Sequence, residues 1–257
     1  MNEREQNQNK QSKMMRFPCL CNRAPFCNRC FGKRTGRNSF LWLLIFVFIA
    51  IAIFNIVCDL CKAEGKEMQK VIVIDAGHGG NDPGMVAGDV LEKDVNLSIA
   101  KQLATKLTQQ GYTVVMTREE DVCLALDGAQ NIKSSDLRQR VELINNSHAD
   151  LLISIHQNCY TDENVCGAQV FYYGTSEQSE QFAKLLQANL IQYVDSNNHR
   201  QAKNGKDYYI LKKSICPGVI VECGFLSCPK ECASLLDPAY QNKIADAIVQ
   251  SVNTYFR

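Results

Sequence analysis

The sequence predicts an α/β domain with a mostly parallel or mixed central sheet and helices on both of its faces, preceded by one N-terminal transmembrane helix. Three features of the 257-residue chain lead to this prediction. From Lys70 onward, short β-branched apolar runs alternate with segments whose apolar residues recur at helical spacing. A glycine-rich segment at 77–80 directly follows the first apolar run, and an uncharged stretch of 18 residues lies ahead of it at 40–57.

The N-terminal segment combines a basic block with this uncharged stretch. Residues 1–38 carry nine basic and two acidic side chains, a net charge of +7, whereas the whole chain has a net charge of +1. Roughly 17 to 25 apolar residues span a bilayer, and a basic flank stays in the cytoplasm. We therefore expect a basic cytoplasmic leader over 1–38 and a transmembrane anchor or signal-like helix over 39–58, which contacts the membrane through 40–57. A linker over 59–69 then leads to an extracytoplasmic domain over 70–257.

Two other fates of this segment stay open. A cleaved signal peptide, with cleavage after Ala63 and secretion of the domain, is less favoured because its apolar core is normally about 7 to 15 residues behind a shorter basic region. Lipid attachment at Cys58 is weaker still, since Val57 is larger than the small residue usual before such a cysteine. Nucleic-acid binding is not predicted, because the basic residues flank an apolar span and are not interleaved with aromatic side chains.

The domain elements follow in regular alternation. Strands are predicted where short apolar runs rich in β-branched residues occur, at 71–74, 112–117, 151–155, 168–173, 208–211 and 219–221. Helices are predicted where apolar residues recur every three or four positions, at 96–110, 134–146, 176–194 and 241–255. Gly111 ends the first of these helices, and Ser135 or Asp136 caps the start of the second.

The chain has 13 cysteines, a high count for an exported domain of this size. Nine of them lie from Cys58 onward, so that one is left over if the others pair in an oxidising compartment. An anaerobic source with reduced thiols explains the abundance equally well, and the sequence leaves the pairing open. The remaining four lie in the leader, where they could bind a metal or be acylated near the membrane: Cys19, Cys21, Cys27 and Cys30.

Three side chains able to bind a metal lie next to predicted strands. His78 follows the first strand, Glu92 lies in the loop before the first domain helix, and His156 lies at the tip of the third strand. Loops at the carboxyl ends of strands converge on one crevice, and two imidazoles with one carboxylate are a usual ligand set for catalytic zinc. A structural role is the alternative for each residue, with Glu92 paired to Lys93.

A fourth residue, Glu222, directly follows the apolar strand 219–221 and precedes Cys223 and Gly224. A carboxylate in such a position is costly to bury without a partner or a purpose. Beside a metal-activated water it can serve as general base and then as general acid. The alternative is a structural ion pair with a nearby lysine such as Lys212 or Lys213.

These residues belong to motifs that resemble a known family, the zinc-dependent N-acetylmuramoyl-L-alanine amidases of the type 3 amidase family, from about Lys70 to Arg257. The matching motifs, in chain order, are Ile74-Asp75-Ala76-Gly77-His78-Gly79-Gly80 with Asp82-Pro83-Gly84, Glu92-Lys93-Asp94, Arg118, Arg138 and Arg140, Ser154-Ile155-His156-Gln157-Asn158, and Val221-Glu222-Cys223-Gly224-Phe225-Leu226-Ser227. The resemblance implies that zinc is bound by His78, Glu92 and His156. It implies that Glu222 is the catalytic carboxylate, and that the reaction hydrolyses the amide between N-acetylmuramic acid and L-alanine in peptidoglycan.

Two positions depart from the family pattern without touching a ligand position. Gln157 stands where a small residue is expected after the second histidine, and Cys228 stands where asparagine is common. A single anchor on a bare catalytic domain resembles the germination-specific amidases of spore formers, which help convert cortex muramic acid to muramic lactam. Such enzymes can rely on a partner protein, which we keep as a hypothesis, with wall turnover as the alternative role. A catalytically silent wall-binding or regulatory protein on the same fold is the rival reading.

Overall fold

The computed structural model describes residues 36–64 and 69–257, and the chain divides into two units, Met1–Gly65 and Lys66–Arg257. In the first unit the described residues form one helix, α1 (Gly36–Glu64). Its segment Leu41–Cys58 is long and apolar enough, by length and composition, to cross a membrane. The prediction for Cys19, Cys21, Cys27 and Cys30 falls outside the described residues.

The second unit alternates strands and helices throughout. Its first half contains β1 (Val71–Ala76), β2 (Val86–Ala87), β3 (Val90–Leu91), α2 (Glu92–Gln109), β4 (Thr113–Met116), α3 (Ile132–Asn146) and β5 (Leu151–Asn158). Its second half contains β6 (Gln169–Tyr172), α4 (Glu177–Tyr193), β7 (Lys203–Asn204), α5 (Tyr209–Lys213), β8 (Gly218–Phe225), α6 (Pro229–Leu235) and α7 (Pro238–Tyr255).

Six of these strands form one mixed sheet in the order β4-β1-β5-β8-β6-β7, while β2 and β3 form a separate antiparallel hairpin. The strands β4, β1, β5 and β8 run parallel, whereas β6 is antiparallel to β8 and parallel to β7. Central parallel strands are covered on both faces, which explains their continuous apolar runs. The predicted mixed α/β sheet is therefore confirmed.

Alternate residues of β1 divide the core into two layers. Ile72 and Ile74 pack in the cluster that contains buried residues of α2, α4 and α7, whereas Val73 packs with Ile144 of α3 and Ile210 of α5. Successive side chains of a strand point to opposite faces, so this division places helices on both sides of the sheet, as predicted.

Two local predictions are wrong. The segment 208–211 was expected to be a strand, but it enters the helix α5, because its apolar Ile210 and Leu211 pack under the sheet as part of the smaller core cluster. The cap of α3 is Asn131, whose side chain accepts a hydrogen bond from the Ser134 amide at 2.8 Å. The expected caps are engaged elsewhere, since Ser135 and Asp136 accept amides of the preceding loop.

The site residues lie in regular elements more than in loops. Glu92 is the first residue of α2, which begins four positions earlier than predicted, and an acidic residue is favourable in the first turn of a helix. His156 and Glu222 lie inside β5 and β8, which continue beyond their apolar residues because the two strands remain paired there. The short hairpin β2–β3, the strand β7 and the helix α6 were not predicted from the sequence.

Candidate active site

Neighbouring parallel strands bring three of the predicted site residues to one edge of the sheet. His156 of β5 is the register partner of Glu222 of β8, and the same β5 pairs with β1 through Ile155 and Ala76. The amide of Gly77 donates to the carbonyl of Ile155 at 3.0 Å, which fixes the start of the segment that carries His78. The carboxyl ends of parallel strands thus meet in one crevice, as expected.

Glu92 joins this edge from the start of α2, and its carboxylate lies between the two imidazoles. The distance from Glu92 Oε2 to His78 Nε2 is 3.2 Å, and the distance from Glu92 Oε1 to His156 Nδ1 is 3.1 Å. The three residues each offer one ligand atom within 4.8 Å of the others. The structure therefore brings together the three residues selected from the sequence.

The donor set and its spacing fit a tetrahedral metal ion such as zinc. Ligand atoms about 2.0–2.2 Å from a tetrahedral ion lie about 3.4 Å from one another, close to the separations between Glu92 and each imidazole. His78 Nδ1 lies 2.9 Å from Asp82 Oδ2. Because a carboxylate at Nδ1 fixes the tautomer, the Nε2 lone pair of His78 is left to face the cluster.

The Glu92 carboxylate is held by hydrogen bonds from three directions. Its Oε1 accepts from the amide of Gln157 at 3.0 Å and from Asn96 Nδ2 at 3.2 Å, and its Oε2 accepts from the amide of Met85 at 2.8 Å. Burial opposes ionisation, but hydrogen bonds with His156 and then His78 outweigh it and hold the pKa of Glu92 well below its usual range. Glu92 is consequently an ionised, fixed carboxylate, and Lys93 is paired instead with Asp121.

The backbone of His78 is in the left-handed region, with φ of 62°, which costs a residue other than glycine about 1–2 kcal/mol. Two buried arginines hold the segment in this conformation. Arg140 Nη2 donates to the carbonyl of His78 at 2.7 Å, and Arg118 Nη2 donates to the carbonyl of Gly77 at 2.9 Å. These contacts fix the direction in which the His78 imidazole leaves the chain.

Arg140 is anchored in turn by Asp75, which lies in β1 and is 1% exposed. The Asp75 carboxylate accepts from Arg140 Nη1 at 2.8 Å, from Thr117 Oγ1 at 2.8 Å and from Ser154 Oγ at 2.6 Å. Burial alone would raise the pKa of Asp75, but the Arg140 charge and the Ser154 hydrogen bond lower it to about 2. This buried pair therefore stays charged at neutral pH and supports the His78 segment.

Glu222 has the environment of a reactive carboxylate more than that of a structural one. It is 7% exposed, its Oε1 accepts from the Tyr208 hydroxyl at 3.4 Å, and its buried Oε2 has no hydrogen-bond partner within the described part of the chain. Burial raises the pKa of Glu222. Across residues 69–257 no salt bridge links it to Lys212 or Lys213, so the ion-pair alternative is not supported.

A cleft of about 360 Å³ opens beside the cluster. Its lining includes His78, His156, Lys133 of α3, and Asp207 and Tyr208 just before α5. Clefts of this size that combine apolar walls with a few convergent polar groups are typical of ligand sites.

Sequence reasoning missed two supporting residues. Asn96 lies one helical turn after Glu92, so its contact with the carboxylate could have been found from the spacing of four positions once the helix was extended to Glu92. Tyr208 offered no comparable signal, because its contact with Glu222 depends on the path of the chain into α5.

Residues 72–254 match the family model described as N-acetylmuramoyl-L-alanine amidase, Amidase_3. The chain belongs to this family and is a peptidoglycan amidase, and the resemblance seen in its motifs is confirmed.

Individual relatives agree with this assignment. The chain is 44% identical over 190 residues to the germination-specific N-acetylmuramoyl-L-alanine amidase of Bacillus subtilis (strain 168). The aligned residues cover 73% of this chain and 80% of that protein. Among solved structures, the CwlD amidase from Clostridioides difficile in complex with the GerS lipoprotein matches with a TM-score of 0.71 and 39% identity, covering 73% of this chain and 98% of that one. An N-acetylmuramoyl-L-alanine amidase from Clostridium difficile 630 matches with a TM-score of 0.66 and 33% identity over 74% of this chain and 98% of that chain.

Proposed function

We propose that this amidase depends on zinc, with His78, Glu92 and His156 as the metal ligands and Glu222 as the catalytic carboxylate. The observation that carries the proposal is the buried Oε2 of Glu222, which lacks a partner among the described residues although it lies on the strand next to His156. A buried polar atom without a hydrogen bond is costly, so its presence beside a metal-competent cluster indicates a role in the reaction.

The roles of the chain's own residues follow from their contacts. Zinc, when bound, supplies a Lewis acid and lowers the pKa of water toward about 7. Glu222 Oε2 accepts the proton of the attacking water and returns it to the amine of L-alanine as the amide breaks. The raised pKa of Glu222 suits both transfers, because its buried carboxylate takes up a proton more readily than an exposed glutamate does. Tyr208 donates to Oε1, so Oε2 is the oxygen of Glu222 that is not engaged by another described residue.

The narrower substrate we propose is spore cortex, where removal of the stem peptide leads to muramic lactam. The similarity to a germination-specific relative supports this choice over vegetative wall turnover. The related CwlD amidase from Clostridioides difficile was solved in complex with the GerS lipoprotein, which supports a partner protein for this chain as well.

We also propose that the chain is a single-pass membrane protein. Support comes from the apolar segment Leu41–Cys58 of α1 and from the basic leader ahead of it. A leader over 1–38, an anchor over 39–58 and a linker over 59–69 would leave 70–257 on the outer side of the membrane, where peptidoglycan lies.

The test is digestion of purified cortex and vegetative peptidoglycan by the full chain in detergent micelles, with and without added zinc. Mass spectrometry is expected to detect stem peptides with a free L-alanine amine, in larger amount from cortex, and a chelator should abolish their release. Release from vegetative wall alone would contradict the cortex role. No release from either material, with the GerS lipoprotein of the related CwlD complex also added, would favour the silent wall-binding alternative.

The role of Glu222 is tested by Glu222→Gln, which keeps the shape of the side chain and removes its ability to take up a proton. Release should fall by about 10²- to 10⁴-fold, while bound zinc, measured by elemental analysis, should be unchanged. Glu142→Gln is the matched control, because Glu142 is an exposed carboxylate on α3. Turnover by Glu222→Gln at the rate of this control would rule out the assigned role.

A further inference from the structure

Two cysteines outside the proposed chemistry lie side by side. The sulfur atoms of Cys166 and Cys228 are 2.6 Å apart, although the residues are 62 positions apart in the chain. Cys166 is exposed in the connection between β5 and β6, and Cys228 is 4% exposed at the junction of β8 and α6. These segments directly follow the strands that carry His156 and Glu222.

The backbone on both sides of this contact is held by other groups. The carbonyl of Cys166 accepts from Arg200 Nε at 2.8 Å, and the next amide, that of Gly167, donates to Glu231 Oε1 at 3.0 Å. On the other side, the carbonyl of Cys228 accepts from the amide of Cys232 at 2.8 Å within the first turn of α6. The two thiols therefore face each other because of the surrounding fold, as a disulfide requires of its two attachment points.

We propose that Cys166 and Cys228 form a disulfide that ties the segment after β5 to the segment after β8. This proposal does not depend on the amidase chemistry. The same two thiols could instead hold a metal together with Glu231. That reading is less favoured because both oxygens of Glu231 already accept backbone amides, from Gly167 and, at 2.8 Å, from Phe225.

The bond forms by thiol–disulfide exchange with a low-molecular-weight disulfide as the oxidant. The exposed thiolate of Cys166 attacks one sulfur of that disulfide and forms a mixed disulfide, with release of the first small thiol. The thiolate of Cys228 then attacks the Cys166 sulfur, and the second small thiol leaves. The protein loses two protons and two electrons, and one disulfide of the oxidant is reduced to two thiols. Because the hydrogen bond to Cys228 raises the pKa of Cys166 to about 11, the thiolate is scarce at neutral pH and the exchange should be slow.

The expected consequence is greater stability of the domain. A bond between residues 62 positions apart restricts the unfolded chain and so raises the free energy of unfolding. This increase in stability should appear as a rise in Tm of roughly 5 to 10 °C. Amidase activity at room temperature should not change, since neither cysteine belongs to the proposed site.

The experiment uses the full chain in detergent, incubated with oxidised glutathione, alkylated and digested without reduction. Cleavage after Lys, Arg and Glu isolates Cys166 in the peptide 164–177, away from Cys159, and places Cys228 in 223–230, away from Cys232. A linked pair of these peptides is expected, with fragment ions that assign the bond to Cys228 and not to Cys223. Alkylation of both cysteines after oxidation, or a link to another cysteine, would overturn the proposal. Protection from alkylation that a chelator removes would also overturn it, in favour of a bound metal.

Thermal unfolding distinguishes the bond from a packing effect. Cys166→Ser changes an exposed side chain and should lower Tm by the stated amount under oxidising conditions, while matching the wild type after reduction. Cys159→Ser is the matched control, because Cys159 is exposed in the same connection, and it should behave as the wild type in both conditions. Equal Tm values for oxidised Cys166→Ser and oxidised wild type would contradict a stabilising bond.

Discussion

Gly84 offers a direct test of the proposed zinc ligands His78 and Glu92. An added Cβ at this position would lie 2.4 Å from Glu92 Oε2 and 2.7 Å from His78 Cδ2, so that Gly84→Ala must displace two of the three proposed ligands. Gly88 provides a matched control in the adjacent hairpin turn. Its φ of 61° is close to the 66° of Gly84, but a Cβ there would meet nothing within 4 Å.

The difference between the two variants can be estimated from these contacts. Both substitutions place alanine in the left-handed region, at a cost of about 1–2 kcal/mol that a stiffer unfolded chain partly offsets. Only Gly84→Ala should also lower zinc affinity, by about 10- to 100-fold, the usual effect of disturbing groups that orient metal ligands. In excess zinc, a 100-fold loss removes about 2.7 kcal/mol of the stabilisation that the metal provides. For a unit of this size, the Tm increase caused by zinc should shrink by roughly 5 to 10 °C.

The assay compares Tm with zinc and with chelator for the wild-type chain and both variants, together with zinc affinity by competition with a chromogenic chelator. The wild type and Gly88→Ala should gain the same Tm from zinc, and Gly84→Ala should gain much less. If Gly84→Ala bound zinc as tightly as Gly88→Ala, then His78 and Glu92 would not be ligands in the arrangement described.

Two further predictions concern the charged groups of the site. Tyr208→Phe removes the hydroxyl that lowers the pKa of Glu222, so the acidic limb of the pH profile of kcat/KM should move to higher pH. Tyr209→Phe is the control and should leave the acidic limb in place. The same pH profile for both variants would refute the contact between Tyr208 and Glu222. The pKa of Asp75 is about 2 in the folded chain, against 3.8 for an isolated group. Ionisation of Asp75 therefore stabilises the fold by about 2.5 kcal/mol above pH 4, and this stability is lost as the pH falls from about 4 to 2. Asp75→Asn should flatten urea-unfolding stability across that range in chelator and lower it at neutral pH by about 1.5–3 kcal/mol, because Arg140 loses one of its two carboxylate partners and keeps Asp136. An unchanged acid dependence would contradict this assignment.

The sheet could be predicted where an unbroken apolar run, rich in β-branched residues, indicates a strand that is buried on both faces. The runs around 71–74 and 151–155 read as doubly buried strands because both faces of β1 and β5 are covered, and the structure places them side by side. The order of strands was not predictable, since it depends on pairing between segments far apart, such as β6 with β8. The prediction of a strand at 208–211 was wrong because a short apolar run has no period that separates a strand from one turn of helix.

The site was predictable to the level of residue type and position in the fold. Their positions beside strand ends made His78, Glu92 and His156 candidates, because those ends converge, but a structural role for each stayed open until the family resemblance implied the ligand set. The sequence could not reveal the arginines as supports of the His78 carbonyl segment, because Arg118 and Arg140 reach it over 41 and 62 positions. Contacts of this kind are set by tertiary packing and have no local signature.

Gln157 shows how a departure from the family pattern can be accommodated beside the site. Its Nε2 donates to Asn96 Oδ1 at 3.1 Å, and Asn96 donates to Glu92, so the larger side chain completes a chain of amides that ends on the carboxylate. The main-chain amide of Gln157 contacts the same carboxylate oxygen directly. A small residue at 157 would keep the second contact and lose the first. In this chain the side chain of Gln157 therefore helps to orient Glu92 through Asn96, and the departure acts on how the carboxylate is held while the residues of the cluster stay the same.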